Sequence, residues 1–179
     1  MSHAPGFLLK TPRLILRALA LSDLDALVTL YSEEGLNYFV PGLDISTATR
    51  EELRWILDVY YTKYGFGLWA TLDKVTGDFI GRCGLIPWTL DTKQEVEVAY
   101  HITKDYRQKG LATEAASVIR DYAFRELNLP RLVSFIDPDN LSSIRVAEKL
   151  GMQLEKTLGS FIHEDKPTLV YTLENTHKP

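Results

Sequence analysis

Apolar residues in this chain change period several times, and each change marks an element. Residues 13–17 alternate, with Leu14 and Leu16 on one side, which predicts a strand. Leu24, Leu27, Val28 and Tyr31 then recur at helical spacing, predicting a helix over residues 23–31 with Ser22 as its cap. The loop that follows, Asn37-Tyr38-Phe39-Val40-Pro41-Gly42, is unusually apolar for a connection. Thr49-x-x-Glu52 has the form of a capping box and predicts a second helix running to about Tyr64.

From there the period shortens to two. Residues 67–72 and 78–88 read as a hairpin around the turn-forming stretch 73–77, and residues 95–102 as the next strand. Over residues 110–126, Leu111, Ala115, Val118, Ile119 and Tyr122 form one apolar stripe of a helix. Residues 132–136 make a short strand. Asp137-Pro138-Asp139-Asn140 is turn chemistry, residues 142–150 a short helix ended by Gly151, and 153–158 and 169–173 final strands. Strands outnumber helices, and a strand–helix–strand unit lies at the centre. The expectation is a mixed α/β sheet with helices on both faces.

Composition narrows the possibilities. The 179 residues suit a single domain, with a core over about residues 9–174. The formal net charge of −4 argues against broad nucleic-acid binding. No apolar run approaches the ~18 residues of a membrane helix, and the first residues lack the layout of a signal peptide. Cys83 is the single cysteine, which excludes an intrachain disulfide and suits a reducing, cytoplasmic setting. His3, His101, His163 and His177 are scattered without ligand spacing, so no metal site is expected.

The candidate chemistry begins where the strand at 95–102 gives way to the long helix. Arg107-Gln108-Lys109-Gly110-Leu111-Ala112-Thr113 places small and basic residues at a helix N-terminus. The first amides of a helix have no intrahelical partner, and the dipole makes that end positive. Small residues let an anion approach the backbone, so this is a candidate pyrophosphate cradle. The alternative is a basic loop with Gly110 as an ordinary loop residue. Neither of the two best-known phosphate loops, G-x-x-x-x-G-K-[ST] and G-x-G-x-x-G, is present.

Arg107-x-x-Gly110-x-Ala112 resembles the [QR]-x-x-G-x-[GA] signature of the GNAT superfamily of N-acetyltransferases. Asn140-Leu-Ser-Ser143 through Ala147 to Gly151-Met-Gln-Leu-Glu155 resembles a second region of the same superfamily, in the expected order. Thr11-Pro-Arg-Leu-Ile-Leu-Arg17 is similar to the first strand of the branch holding the bacterial ribosomal-protein N-terminal (alanine/serine) acetyltransferases. The resemblance implies a mostly antiparallel α+β sheet whose central parallel strands splay apart around acetyl-CoA. It puts the pyrophosphate on residues 107–112, with Thr113 beside it. The pantetheine then pairs with the strand edge at Val98 and Tyr100, with Asn140 as a further contact.

The implied reaction is direct attack of an amine on the thioester. It needs a base, and a donor for the departing thiolate. Glu97 is the first candidate base and Glu95, on the same strand face, the reserve; both could instead be exposed strand carboxylates. Relatives often carry a tyrosine donor where this chain has Ala147. Ser143, one turn earlier, is the candidate replacement, and Asn140, Ser142 or Ser143 could equally cap the helix. Cys83 reads as a buried small residue and His101 as a sheet residue.

The acceptor side falls to the N-terminal aromatics: Tyr38, Phe39, Trp55, Tyr60, Tyr61, Tyr64, Trp69 and Trp88. Glu33, Glu34 and Asp44 are candidate holders of a cationic amine. The implied partners are acetyl-CoA and an amine acceptor, a protein N-terminus or a small amine, to a monomer or homodimer. A non-catalytic acyl-CoA-binding module is the alternative.

Overall fold

Pairing of the alternating segments produces one sheet. The computed structural model describes residues 6–33, 43–90, 92–161 and 166–176. In chain order the elements are β1 (Leu8–Lys10), β2 (Leu14–Ala18), α1 (Leu24–Tyr31), α2 (Ile45–Trp55), β3 (Leu68–Asp73), β4 (Phe79–Leu90) and β5 (Lys93–Ile102). Then come α3 (Leu111–Arg125), β6 (Arg131–Ile136), α4 (Leu141–Lys149), β7 (Gln153–Ser160) and β8 (Pro167–Glu174). The strand order is β1-β2-β3-β4-β5-β6-β8-β7. Among the described residues, β5–β6 is the parallel neighbour pair and the others are antiparallel. This is the expected mixed α+β sheet, with α3 as the crossover between its parallel strands.

Two ladders at the centre differ sharply. β4 and β5 stay in continuous register from Gly81↔Ile102 to Leu90↔Lys93. β5 and β6 share only Glu97↔Val133. Beyond that point side chains replace the ladder. Ser134 Oγ donates to the Val98 carbonyl at 2.9 Å, and the Phe135 amide faces Glu97 Oε1 at 3.4 Å.

Helices cover both faces, because successive strand side chains point to opposite sides. Arg82 donates to the Tyr31 hydroxyl of α1 at 2.6 Å. Its pairing row holds Ala70, and the next row, Trp69↔Cys83, faces α3. There Trp69 stacks on Phe7 at 4.1 Å and meets Tyr122 edge-on at 5.8 Å. The stripe on α3 is as read, with Leu111, Ala115, Ile119 and Tyr122 buried.

Three local expectations are corrected. The second helix begins at Ile45, capped by Asp44, whose carboxylate accepts from the Thr47 amide at 2.8 Å. Thr49 lies inside it, buried, bonding back to the Ile45 carbonyl at 2.7 Å. An acidic cap five residues earlier outcompetes the capping-box threonine, and the helix continues as a π-helical stretch, Ile56–Tyr64. Ser22 does not cap α1. It sits in a 3-10 turn, Leu21–Asp23, and the Asp23 carboxylate accepts from Ala20 N at 2.8 Å while pairing with Arg17 at 2.7 Å. Strand β1 went unread, since three residues are too few for a period.

Candidate active site at the opening of the parallel pair

Around the start of α3, backbone bonding stops and then resumes. Arg107 N donates to Lys104 O at 3.2 Å, and Glu114 N to Gly110 O at 3.0 Å. Between them the amides of residues 108–113 find no protein acceptor among the described residues. Gln108 (φ 61) and Gly110 (φ 77) both take left-handed backbone, which curls the chain into a concave row of donors. A Cβ built at Gly110 would meet only Arg13 Nη2, at 3.6 Å. An open row of amides with room above it fits a pyrophosphate.

The charges around this row are not those the motif suggests. Arg107 donates from Nε to the Ile102 carbonyl at 2.8 Å, pairs with Glu33, and lies 3.2 Å from His101 Nε2. Its guanidinium braces the end of β5. The Lys109 ammonium sits 4.9 Å over the Tyr106 ring. Arg13, which sequence reasoning missed, bonds the Lys109 carbonyl at 2.9 Å and Glu114 at 2.7 Å. Glu114 also takes the Thr11 hydroxyl at 2.6 Å. Partial burial opposes its charge, but Thr11 and Arg13 together hold it below the usual carboxylate range. Residues far apart in the chain thus pin the cradle to β2.

The opening of the parallel pair gathers the remaining candidates. Val98 packs its side chain in the core. Tyr100 reaches across the gap, its hydroxyl donating to the Ser143 carbonyl at 2.9 Å. Asn140 caps α4, its Oδ1 accepting from Ser143 N at 3.0 Å and from Ser142 Oγ at 2.8 Å. The cap is therefore Asn140, and the Ser143 hydroxyl takes no part in it. Ala147 is fully buried one turn on.

Glu95 and Glu97 share a strand face and differ in fate. Glu95 is 8% exposed and bonds Arg131 Nε at 3.0 Å. Glu97 is half-buried, with Oε2 accepting from Trp88 Nε1 at 2.8 Å. Burial pushes its carboxyl up to about 7, more than the bonds from Trp88 and the Phe135 amide and the charge of Arg82 pull it down. A carboxyl poised near neutrality suits proton transfer.

On Glu97's side of the sheet lies an aromatic group. Trp88, Phe135 and Phe161 meet with centroids 5.6, 5.4 and 4.7 Å apart. Tyr60, half-buried, has its hydroxyl pushed up mainly by burial and also by Glu52 and Glu97. Trp69 and Tyr61 are core, Trp55 is exposed, and Tyr64 packs edge-on to Tyr60. Glu33 is held by Arg107 and the Lys104 amide, and Asp44 caps α2. Tyr38, Phe39 and Glu34 lie outside the described residues. His101 is pushed down to about 3 by burial, Arg82 and Arg107, so it is neutral at ordinary pH. Burial pushes the Cys83 thiol up to about 12. Among the described residues no group of three potential ligands could hold a metal, and no helix is long and apolar enough to cross a membrane.

A family model described as an acetyltransferase (GNAT) domain matches residues 13–153, covering the first motif, all but the last two residues of the second, and the opening of the parallel pair. The chain belongs to the GNAT acetyltransferase family. It is an acetyl-CoA-dependent N-acetyltransferase. The uncharacterised YkkB of Bacillus subtilis is 35% identical over 164 residues, covering 91% of this chain and 93% of that protein. A ribosomal-protein-S5-alanine acetyltransferase from Vibrio fischeri superposes with TM-score 0.80 at 18% identity, covering 97% and 100% of the two chains. A spermidine N-acetyltransferase SpeG chimera from Vibrio cholerae and hSSAT gives 0.74 at 21%, covering 91% and 96%. At such identities both structures speak for the fold alone, and the GNAT N-acetyltransferase resembles the two kinds alike.

Proposed function

We propose that this GNAT N-acetyltransferase acetylates the α-amine of a protein N-terminus, with Glu97 as base and Ser143 as donor to the leaving thiolate. The observation that carries the reading is Glu97 at the single register position of the parallel pair, held by Trp88 and raised to about 7. The amides of residues 108–113 hold the pyrophosphate, and the β5 edge at Val98 and Tyr100 holds the pantetheine, with Asn140 fixing the first turn of α4 opposite. Ionised Glu97 takes a proton from the incoming ammonium. The freed lone pair forms the N–C bond as the C–S bond breaks, and the acylated nitrogen releases its second proton to solvent to leave the neutral amide. Ser143 Oγ–H donates a hydrogen bond to the thiolate, which takes its proton from solvent.

A single amine fits this face better than a polyamine. A polycation needs several free carboxylates, and Glu33, Asp44 and Glu95 are each engaged. Thiol release from acetyl-CoA over a panel of peptides and amines tests the reading. Turnover with peptides and not with N-acetylated peptides is expected. Turnover confined to spermidine would overturn the acceptor, and no turnover with any amine would overturn the catalytic assignment.

A further inference from the structure

The geometry points to an aromatic pocket, Trp88–Phe135–Phe161, that selects acceptors whose amine is flanked by a bulky apolar or aromatic group. This inference rests on the reading above, in which Glu97 receives the acceptor's proton. The three rings come from β4, β6 and the residue after β7, yet they meet edge to face or tilted at 4.7–5.6 Å. They form a cluster distinct from the main core, over Val133 and Val170, with Leu90 and Leu158 at its margin. Phe135 is buried, whereas Trp88 and Phe161 keep partly exposed surface. The cluster therefore presents ring surface as well as filling the sheet face.

The indole is also fastened to the base. Trp88 donates Nε1–H to Glu97 Oε2 at 2.8 Å, which fixes the ring plane relative to the carboxylate. A group bound to Glu97 through its nitrogen thus has its neighbouring carbon substituent set against aromatic surface. An aromatic face attracts both the ammonium charge and an apolar flank. The charge pattern restricts the ligand further. Glu97 is the carboxylate bonded to the rings, while Arg82 and His101 line the same sheet face. The ligand that matches is a single ammonium carried beside one large apolar side chain. An N-terminal Phe, Leu or Trp residue has that chemistry, as does a free arylalkylamine.

The experiment compares kcat/KM for peptides identical except for the first residue, Phe, Leu, Ala or Ser, together with phenethylamine and spermidine. The expected result is at least tenfold preference for the Phe and Leu peptides over Ala and Ser. Phe161→Leu keeps the packing and loses the ring; it should cut the Phe-to-Ala ratio at least threefold while leaving the KM for acetyl-CoA unchanged. Phe161→Ala should abolish the preference, with its melting curve checking the fold. Turnover on all peptides with no preference, or a preference for Ala and Ser, would overturn the pocket and leave acetyl transfer standing. Equal loss on every acceptor in Phe161→Leu would also overturn it. Absence of turnover on every amine would overturn the underlying reading as well. Acetylation of phenethylamine without any peptide would keep the pocket and reject the protein acceptor.

Discussion

Around Gly110 the groups free to meet a ligand are backbone amides; around Glu97 they are side chains gathered from several strands. As proposed, the donor side recognises through chain geometry, so its sensitive positions are those where backbone torsion or the absence of a side chain matters. The acceptor side recognises through chemistry, and there conservative exchanges tell. The same strand serves both, since α3's cradle follows directly from β5's end while Glu97 lies at its middle. The difference teaches that this enzyme's hold on acetyl-CoA and its choice of amine can be altered separately.

The sharpest way to break the comparison is at Glu97. Glu97→Gln preserves an acceptor for Trp88 and removes the proposed base, so kcat/KM should fall by ~10²–10⁴-fold near neutrality. In the native enzyme kcat/KM should rise through about pH 7, where the raised carboxyl ionises, and the variant should lose that limb. A stability signature accompanies it. The folded state holds the Glu97 proton between about 4.5 and about 7 whereas the unfolded state gives it up, so stability falls as pH rises through that window. Glu97→Gln should melt above the native protein at about pH 8, by on the order of 1–3 kcal/mol, and not at about pH 4.

On the donor side, Gly110→Asp introduces a negative side chain where the amides converge. Acetyl-CoA affinity measured by calorimetry should drop at least tenfold, about 1.4 kcal/mol or more. Amine selectivity should be unchanged. Undiminished binding with the fold intact would mean the cradle does not hold the cosubstrate.

Glu95→Gln sharpens the contrast within one strand. It breaks a charged bond to Arg131 in a buried position, so denaturant melts should show a loss of roughly 1–3 kcal/mol. Turnover per folded molecule should hardly move. A large rate loss here would transfer the base to Glu95.

The smallest effects separate Ser143 from Asn140. Asn140→Ala should lower stability by ~0.5–2 kcal/mol through the lost cap. Ser143→Ala should leave the melting temperature nearly unchanged and lower kcat several-fold. A melting shift without a rate effect in Ser143→Ala would remove its role toward the thiolate.

Local regularities were readable and distant encounters were not. The period-two runs became strands, and the open row of amides could be placed because Gly110 and its neighbours act within one turn of backbone. Asn140 was correctly weighed as a cap for the same reason. Arg13 could not be seen at the cradle, because tertiary bonds to Glu114 and the Lys109 carbonyl hold it there. The partners of Arg107, Glu33 and the Ile102 carbonyl, likewise carry no signal in the local motif. Phe161 carries no local signal at all; its meeting with Trp88 depends on how β8 seats β7. The proposal of Glu97 over Glu95 as base likewise rests on tertiary partners, Arg131 for Glu95 and Trp88 for Glu97.

β5 and β6 share one ladder position, and this bears on stability. The sheet consists of two halves, β1 to β5 and β6 to β8, joined by α3, by one ladder position, and by side-chain clasps that include Ser134, Glu97, Tyr100, the Glu95–Arg131 ion pair and the Trp88–Phe135 ring contact. A strand-like ligand lying in the gap acts as a mortar course between two walls. Its binding free energy then adds to the cohesion of the halves, rising with the logarithm of its concentration above Kd. Amide hydrogen exchange on the inner edges of β5 and β6 should therefore slow together when acetyl-CoA is added, while the outer edges at β1 and β7 keep their rates.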